Sequence, residues 1–126
     1  MTNSEKIEYL KQQPKNNVCL PDYYQDMLYL FGDIKKNYAD YMVTEPIDCN
    51  TELKRLVSAD YDLCCALLTM LLRADHFAQY GCFESHVKNG DVPQIIRRMI
   101  KNLEKREMET ERRLAGRAAE FFMDDE

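Results

Sequence analysis

The stretch Leu63–Leu72, LCCALLTMLL, decides the fold. Thr69 is its one polar side chain. The run is about half the roughly 20 residues that a bilayer-crossing helix needs, so it predicts a buried helix rather than a span. Gly and Pro number four each in 126 residues. Turn formers that scarce imply long elements and few loops, which points to helices. With Ser58 or Asp60 as its cap, the central helix covers about 59–75. A helix apolar on nearly every side has to be covered by others, so this one belongs at the centre of the domain.

Upstream, Asn3 or Ser4 caps a short first helix that presents Ile7 and Leu10, and 14–20 reads as a loop after Pro14. Pro21 suits a first helical position. From Asp22 to Met42, the residues Tyr24, Met27, Leu28, Phe31, Ile34, Tyr38, Tyr41 and Met42 recur at steps of three and four. That spacing predicts one long amphipathic helix, with Gly32 as a point of bending that weakens it by about 1 kcal/mol relative to Ala. A loop over 43–52 and a short helix with Leu53, Leu56 and Val57, capped by Asn50 or Thr51, lead into the central helix.

Downstream, Gly81 and Gly90 bracket a short helix over 82–89. DVPQ (91–94) has the form of a capping box with Asp91 as cap and Gln94 three residues on. The final helix starts near Val92 and carries Ile95, Ile96, Met99, Ile100 and Leu103 on a core face. After Leu103 helix formers persist while apolar density falls. The expected architecture is all-α: a compact bundle of five or six helices over 1–103, and a charged helical extension with an acidic tail over 104–126.

Charge and motif content narrow the function. The net charge of −5 argues against a non-specific nucleic-acid binder, which gains affinity by neutralising phosphates. Residues 97–117 nevertheless hold eight Lys or Arg against four Glu, while 118–126 hold four acids and no base. The basic face supports weak nucleic-acid association, with a solvated helix face as the plainer account. The first twenty residues lack a secretory apolar core. Five irregularly spaced Cys do not form a disulfide framework, so a reducing cytoplasm is expected. Glycine-rich phosphate loops, paired C-x-x-C ligands, H-E-x-x-H and G-x-S-x-G are absent, and no cofactor is expected.

Three groups of residues could carry chemistry. Arg73, Asp75, His76, Glu84 and His86 gather in LLRADHFAQYGCFESHVKNGD (71–91), either as an enzyme's anion-binding or proton-moving corner or as a polar joint whose charges are paired for structural reasons. Cys82, His86 and His76 could hold zinc, although C-x-x-x-H arises readily by chance and ordinary core placement accounts for them. Tyr23 and Tyr29, with Arg113, Leu114, Phe121 and Phe122 of the extension, form the candidate partner-binding set, because Tyr and Phe suit a surface that is apolar yet wet.

Residues 58–103, SADYDLCCALLTMLLRADHFAQYGCFESHVKNGDVPQIIRRMIKNL, resemble the core of a family of small bacterial proteins described as a domain of unknown function, often encoded on mobile elements of Firmicutes. Arg73, Asp75, His76, Phe77, Gly81, Phe83, Gly90, Ile95, Ile96 and Arg97 carry the resemblance. It implies an all-helical fold, a bacterial cytoplasm and no known cofactor, and it marks the 71–91 stretch as a fold signature. The favoured function is a non-catalytic interaction module or accessory regulator. Its partner would be another protein or a second copy of itself, with no membrane.

Overall fold

The computed structural model describes residues 1–12, 21–77 and 81–123, with side chains described for all of these except residue 77 and residues 117–123. The expected loop at 14–20, the acidic tail 124–126 and the side chains of Phe121 and Phe122 lie outside the described residues. The architecture is all-α: six α-helices and two 3-10 turns, with no strand among the described residues. The helices are α1 (Asn3–Lys11), α2 (Pro21–Phe31), α3 (Cys49–Leu53), α4 (Tyr61–Phe77), α5 (Cys82–Lys88) and α6 (Asp91–Met123), and the 3-10 turns are Tyr38–Tyr41 and Lys54–Ser58.

The LCCALLTMLL run lies inside α4. From Cys64 to Leu71 every residue is buried to within 1% of completely, because α2, α3, α5, α6 and the Tyr38–Tyr41 turn all pack on α4. Thr69 is tolerated there because its hydroxyl donates to the Cys65 carbonyl at 2.8 Å and accepts from the Lys35 amide. Asp60 caps α4 by accepting the Leu63 N–H at 2.8 Å. The α6 face made by Val92, Ile95, Ile96, Met99 and Leu103 closes the core, and α1 packs across α6. Arg98 and Asn102 of α6 both donate to the buried Ala59 carbonyl, at 2.9 and 3.0 Å.

The expected long helix over 22–42 does not form. It stops at Phe31, since Gly32 takes φ 74°. The Gly32 N–H then bonds the Tyr29 carbonyl and the Asp33 N–H reaches back to Leu28, each at 3.0 Å. This is a Schellman closure, which a glycine adopts without the steric cost that a Cβ brings. Asp33 turns inward and accepts from both Lys6 Nζ (2.7 Å) and the Tyr61 hydroxyl (2.5 Å). Ile34, Tyr38 and Met42 still pack against the core, from a turn instead of a helix.

Several caps also differ from expectation. Thr2, not Asn3 or Ser4, caps α1 in a reciprocal capping box with Glu5. Asp48, not Asn50 or Thr51, caps α3. Asp91 does not act as a cap: α6 begins at Asp91 itself, and the carboxylate turns to His86. Val57 of the expected short helix is 86% exposed, because α3 tightens into a 3-10 turn that aims Leu56 inward and Val57 out.

Candidate functional site

The polar corner at 71–91 resolves into separate structural ties. Asp75 lies near the C-terminal end of α4 and is almost fully buried. Its Oδ1 accepts the N–H of Gly81 at 2.9 Å and of Phe83 at 3.1 Å. The first turn of a helix leaves such N–H groups unpaired, so α4 caps α5 from a distance. Gly81, at φ 90°, lets the chain turn into that arrangement. His86 Nδ1 sits 2.7 Å from Asp91 Oδ2, joining α5 to the start of α6. Glu84 pairs with Lys88 one turn on, at 2.9 Å and in solvent. His76 is exposed, and Arg73 is half-buried with no hydrogen bond or ion pair among the described residues. Within this polar joint the structural tie is therefore made by Asp75 and not by Arg73. The two acceptor contacts of Asp75, the one from Phe83 buried and the one from Gly81 partly so, serve the fold and leave this oxygen engaged.

The zinc candidates divide similarly. Cys82 and His86 line a cavity of about 450 Å³, joined there by Cys49 and Asp48 of the α3 cap, while His76 is not on its wall. Burial, followed by the charges of Asp75 and Cys49, raises the Cys82 thiol above its ordinary range. Burial and then Asp48 do the same for Cys49. Among the described residues no three His, Cys, Asp or Glu side chains are grouped to hold a metal ion. Burial pushes the Cys64 and Cys65 thiols up to about 12, which removes the thiolate that redox chemistry needs.

A third polar cluster shapes the surface. Glu52 is completely buried on α3. Its carboxylate accepts from the N–H groups of Val43 (3.0 Å) and Thr44 (2.7 Å), from the Thr44 hydroxyl, and from Arg55 Nη1 (2.9 Å). Burial opposes its ionisation, yet the bonds from Thr44, Arg55 and Val43 outweigh it and hold the carboxyl below its ordinary range. Arg55 also donates to the Tyr41 carbonyl at 2.7 Å. This knot fixes the loop before α3 and the 3-10 turn after it.

On the far side of that turn an open groove of about 800 Å³ runs between Lys54–Ser58 and α6. Leu53, Val57 and Ile100 supply apolar surface, and Lys54, Arg97 and Lys101 stand exposed around it. Among the described residues Glu104 is the one acid on its wall, and Lys11 pairs with it at 3.4 Å. Arg98 also reaches the groove while its Nε is held by Ala59. The groove is thus an apolar trough with a positive rim on a chain of net charge −5. Of its cations, Arg97, Arg98 and Lys101 fell within the predicted basic face. Leu53, Lys54 and Val57 were missed as surface; the sequence signal was a short helix carrying neighbouring apolar residues that one core face could not all accommodate.

The partner-binding candidates are scattered. Tyr23 is half-buried, edge-on to Tyr24 with ring centroids 5.2 Å apart. Tyr29 is 48% exposed on α2 beside exposed Leu30. Arg113 and Leu114 are exposed on the outer half of α6, Leu114 at 60%. No described helix is long and apolar enough to cross a membrane. Comparison of the chain with protein-family models, with curated proteins and with solved structures finds no match.

Proposed function

We propose that this protein is a non-catalytic interaction module that binds another protein through the groove between the Lys54–Ser58 turn and α6. The observation that carries this is the union of apolar surface at exposed Val57 and half-buried Ile100 with the cations Lys54, Arg97 and Lys101, which make no ion pair among the described residues. An apolar trough favours burial of side chains, and a cationic rim selects an acidic partner and speeds its approach. The matching ligand is an amphipathic helix with apolar anchors three and four residues apart and acids flanking them. A bare phosphate backbone would use the cations and leave the trough unfilled. The free thiols of Cys49, Cys64, Cys65 and Cys82 suit the reducing cytoplasm in which we place the module.

The test is fluorescence anisotropy with two labelled helical peptides that share apolar positions and differ in flanking charge, Glu in one and Lys in the other. The acidic peptide binds at least tenfold more tightly, and Val57→Asp or Lys101→Glu removes the difference. Equal binding of the two peptides refutes the reading. So does a 20-base-pair duplex that binds more tightly than the acidic peptide and releases steeply with salt.

A further inference from the structure

We propose that the groove takes residues 118–126 of a second copy of this chain, and that two copies exchange these segments reciprocally. This rests on the reading of the groove as a docking surface and names its occupant.

Charge and shape chemistry come first. The segment AAEFFMDDE (118–126) has four acids, no base and two adjacent Phe. The groove offers three exposed cations, with Leu53, Val57 and Ile100 beside them, and its own acid is already paired to Lys11. An apolar pair flanked by acids is the complement of an apolar trough flanked by cations.

Reach comes second, and it excludes the chain's own segment. α6 is one helix from Asp91 to Met123. Lys101 and Phe121 are therefore about 30 Å apart along it, at 1.5 Å per residue. The residues 124–126 span at most about 10 Å even when fully extended. Neither Phe can return to the groove on its own molecule, so the occupant comes from another.

Symmetry comes third. A reciprocal exchange is a two-fold arrangement in which the same patch serves both copies, here an antiparallel pair of α6 helices. Setting Ile100 level with Phe122 of the second copy sets Met108 level with Leu114 of the second copy. Met108 and Leu114 are 53% and 60% exposed, large apolar side chains on the stretch between the groove and the exchanged segment. Ile100, Leu114 and Phe121 are also separated by multiples of seven residues, the repeat that keeps one face of paired helices together. The same alignment sets Glu111 opposite its own copy on the axis, a like-charge contact that opposes pairing.

Sedimentation velocity at low salt tests the exchange on the full chain, with circular dichroism confirming that each variant is folded. The wild-type chain sediments as a dimer at tens of micromolar. A groove variant (Lys54→Glu, Arg97→Glu, Lys101→Glu) and a segment variant (Phe121→Ala, Phe122→Ala) are each monomeric. Mixed together, the two form a heterodimer, because one intact groove and one intact segment remain between them. Glu111→Gln tightens the wild-type pair several-fold. A monomeric wild-type chain overturns the proposal, as does a groove variant that still dimerises or a mixture that stays monomeric; an unchanged Glu111→Gln dimer overturns the alignment. The acidic-peptide experiment separates the two ideas: peptide binding by a monomeric wild-type chain leaves the docking groove standing and removes only the second copy as its occupant.

Discussion

Asp75 and Phe83 are joined by a hydrogen bond from the Phe83 backbone N–H to the Asp75 carboxylate, 3.1 Å long and completely shielded at the Phe83 side chain. One residue thereby ends the central helix in contact with the start of the next. Asp75→Ala strands two backbone donors, and leaving a buried donor unpaired costs about 1–3 kcal/mol. Urea denaturation is expected to show a loss of that size, with amide exchange accelerating first at Gly81 and Phe83. Asp75→Asn keeps an acceptor oxygen and loses less. If Asp75→Ala unfolds at the wild-type midpoint, the tie is unimportant and the corner regains interest as a site.

Glu52 makes stability depend on acid. Its carboxyl is held below the ordinary value of 4.5 in the folded chain, so the folded form binds protons less readily than the unfolded form. The stabilisation is complete above about pH 4.5, where both forms are ionised, and is lost as pH falls through the lower folded value. Glu52→Gln is expected to cost about 1.5–3 kcal/mol at pH 7, the range for hydrogen bonds to a charged group. The gap between wild type and variant should close as the pH is taken down from 5 to 3, as measured by thermal melts. A gap that widened toward acid would show that the sign, and with it the role of the network, is wrong.

Gly32→Ala places a Cβ on a backbone at φ 74°. Nothing lies within 4 Å of that Cβ, so the penalty is conformational and amounts to about 1 kcal/mol. Crowding would give a larger loss. Calorimetry distinguishes them: Gly32→Asn, larger than Ala but tolerated in the left-handed region, should lose less than Gly32→Ala if the penalty is conformational, and more if it is crowding.

Cys64 and Cys65, with thiols pushed up to about 12 in complete burial, should resist iodoacetamide at pH 8 while the chain is folded. Mass spectrometry is expected to find them alkylated only at denaturant concentrations that unfold the protein. Labelling of either in the native state, faster than global unfolding, would mean that α4 opens locally.

What the sequence revealed about the fold was its local part. The apolar run of α4, the Asp60 cap and the Gly81 and Gly90 brackets each rest on residues within a turn of one another, where propensity and burial agree. The helix expected over 22–42 failed for an instructive reason. Ile34, Tyr38 and Met42 keep helical spacing and do face the core, so the pattern recorded burial correctly. It could not record that Gly32 had closed the helix, because a glycine is compatible with both a weakened helix and a left-handed stop. The groove was hidden for a different reason. Val57 and Ile100 lie far apart in the chain, and their adjacency follows from how α6 crosses the 3-10 turn. The 71–91 cluster was visible as a set of polar residues, but which would pair with which is a property of three helices at once.

The shared acceptor at Ala59 has a mechanical meaning. Arg98 and Asn102 stand one helical turn apart and hold the same carbonyl oxygen. If α6 rolled about its axis, both donors would leave together and the buried oxygen would be stranded. The shared carbonyl therefore fixes the roll of α6 against the start of α4. A torque applied along its outer half is resisted at that oxygen as well as along the packed face of Val92, Ile95, Ile96, Met99 and Leu103.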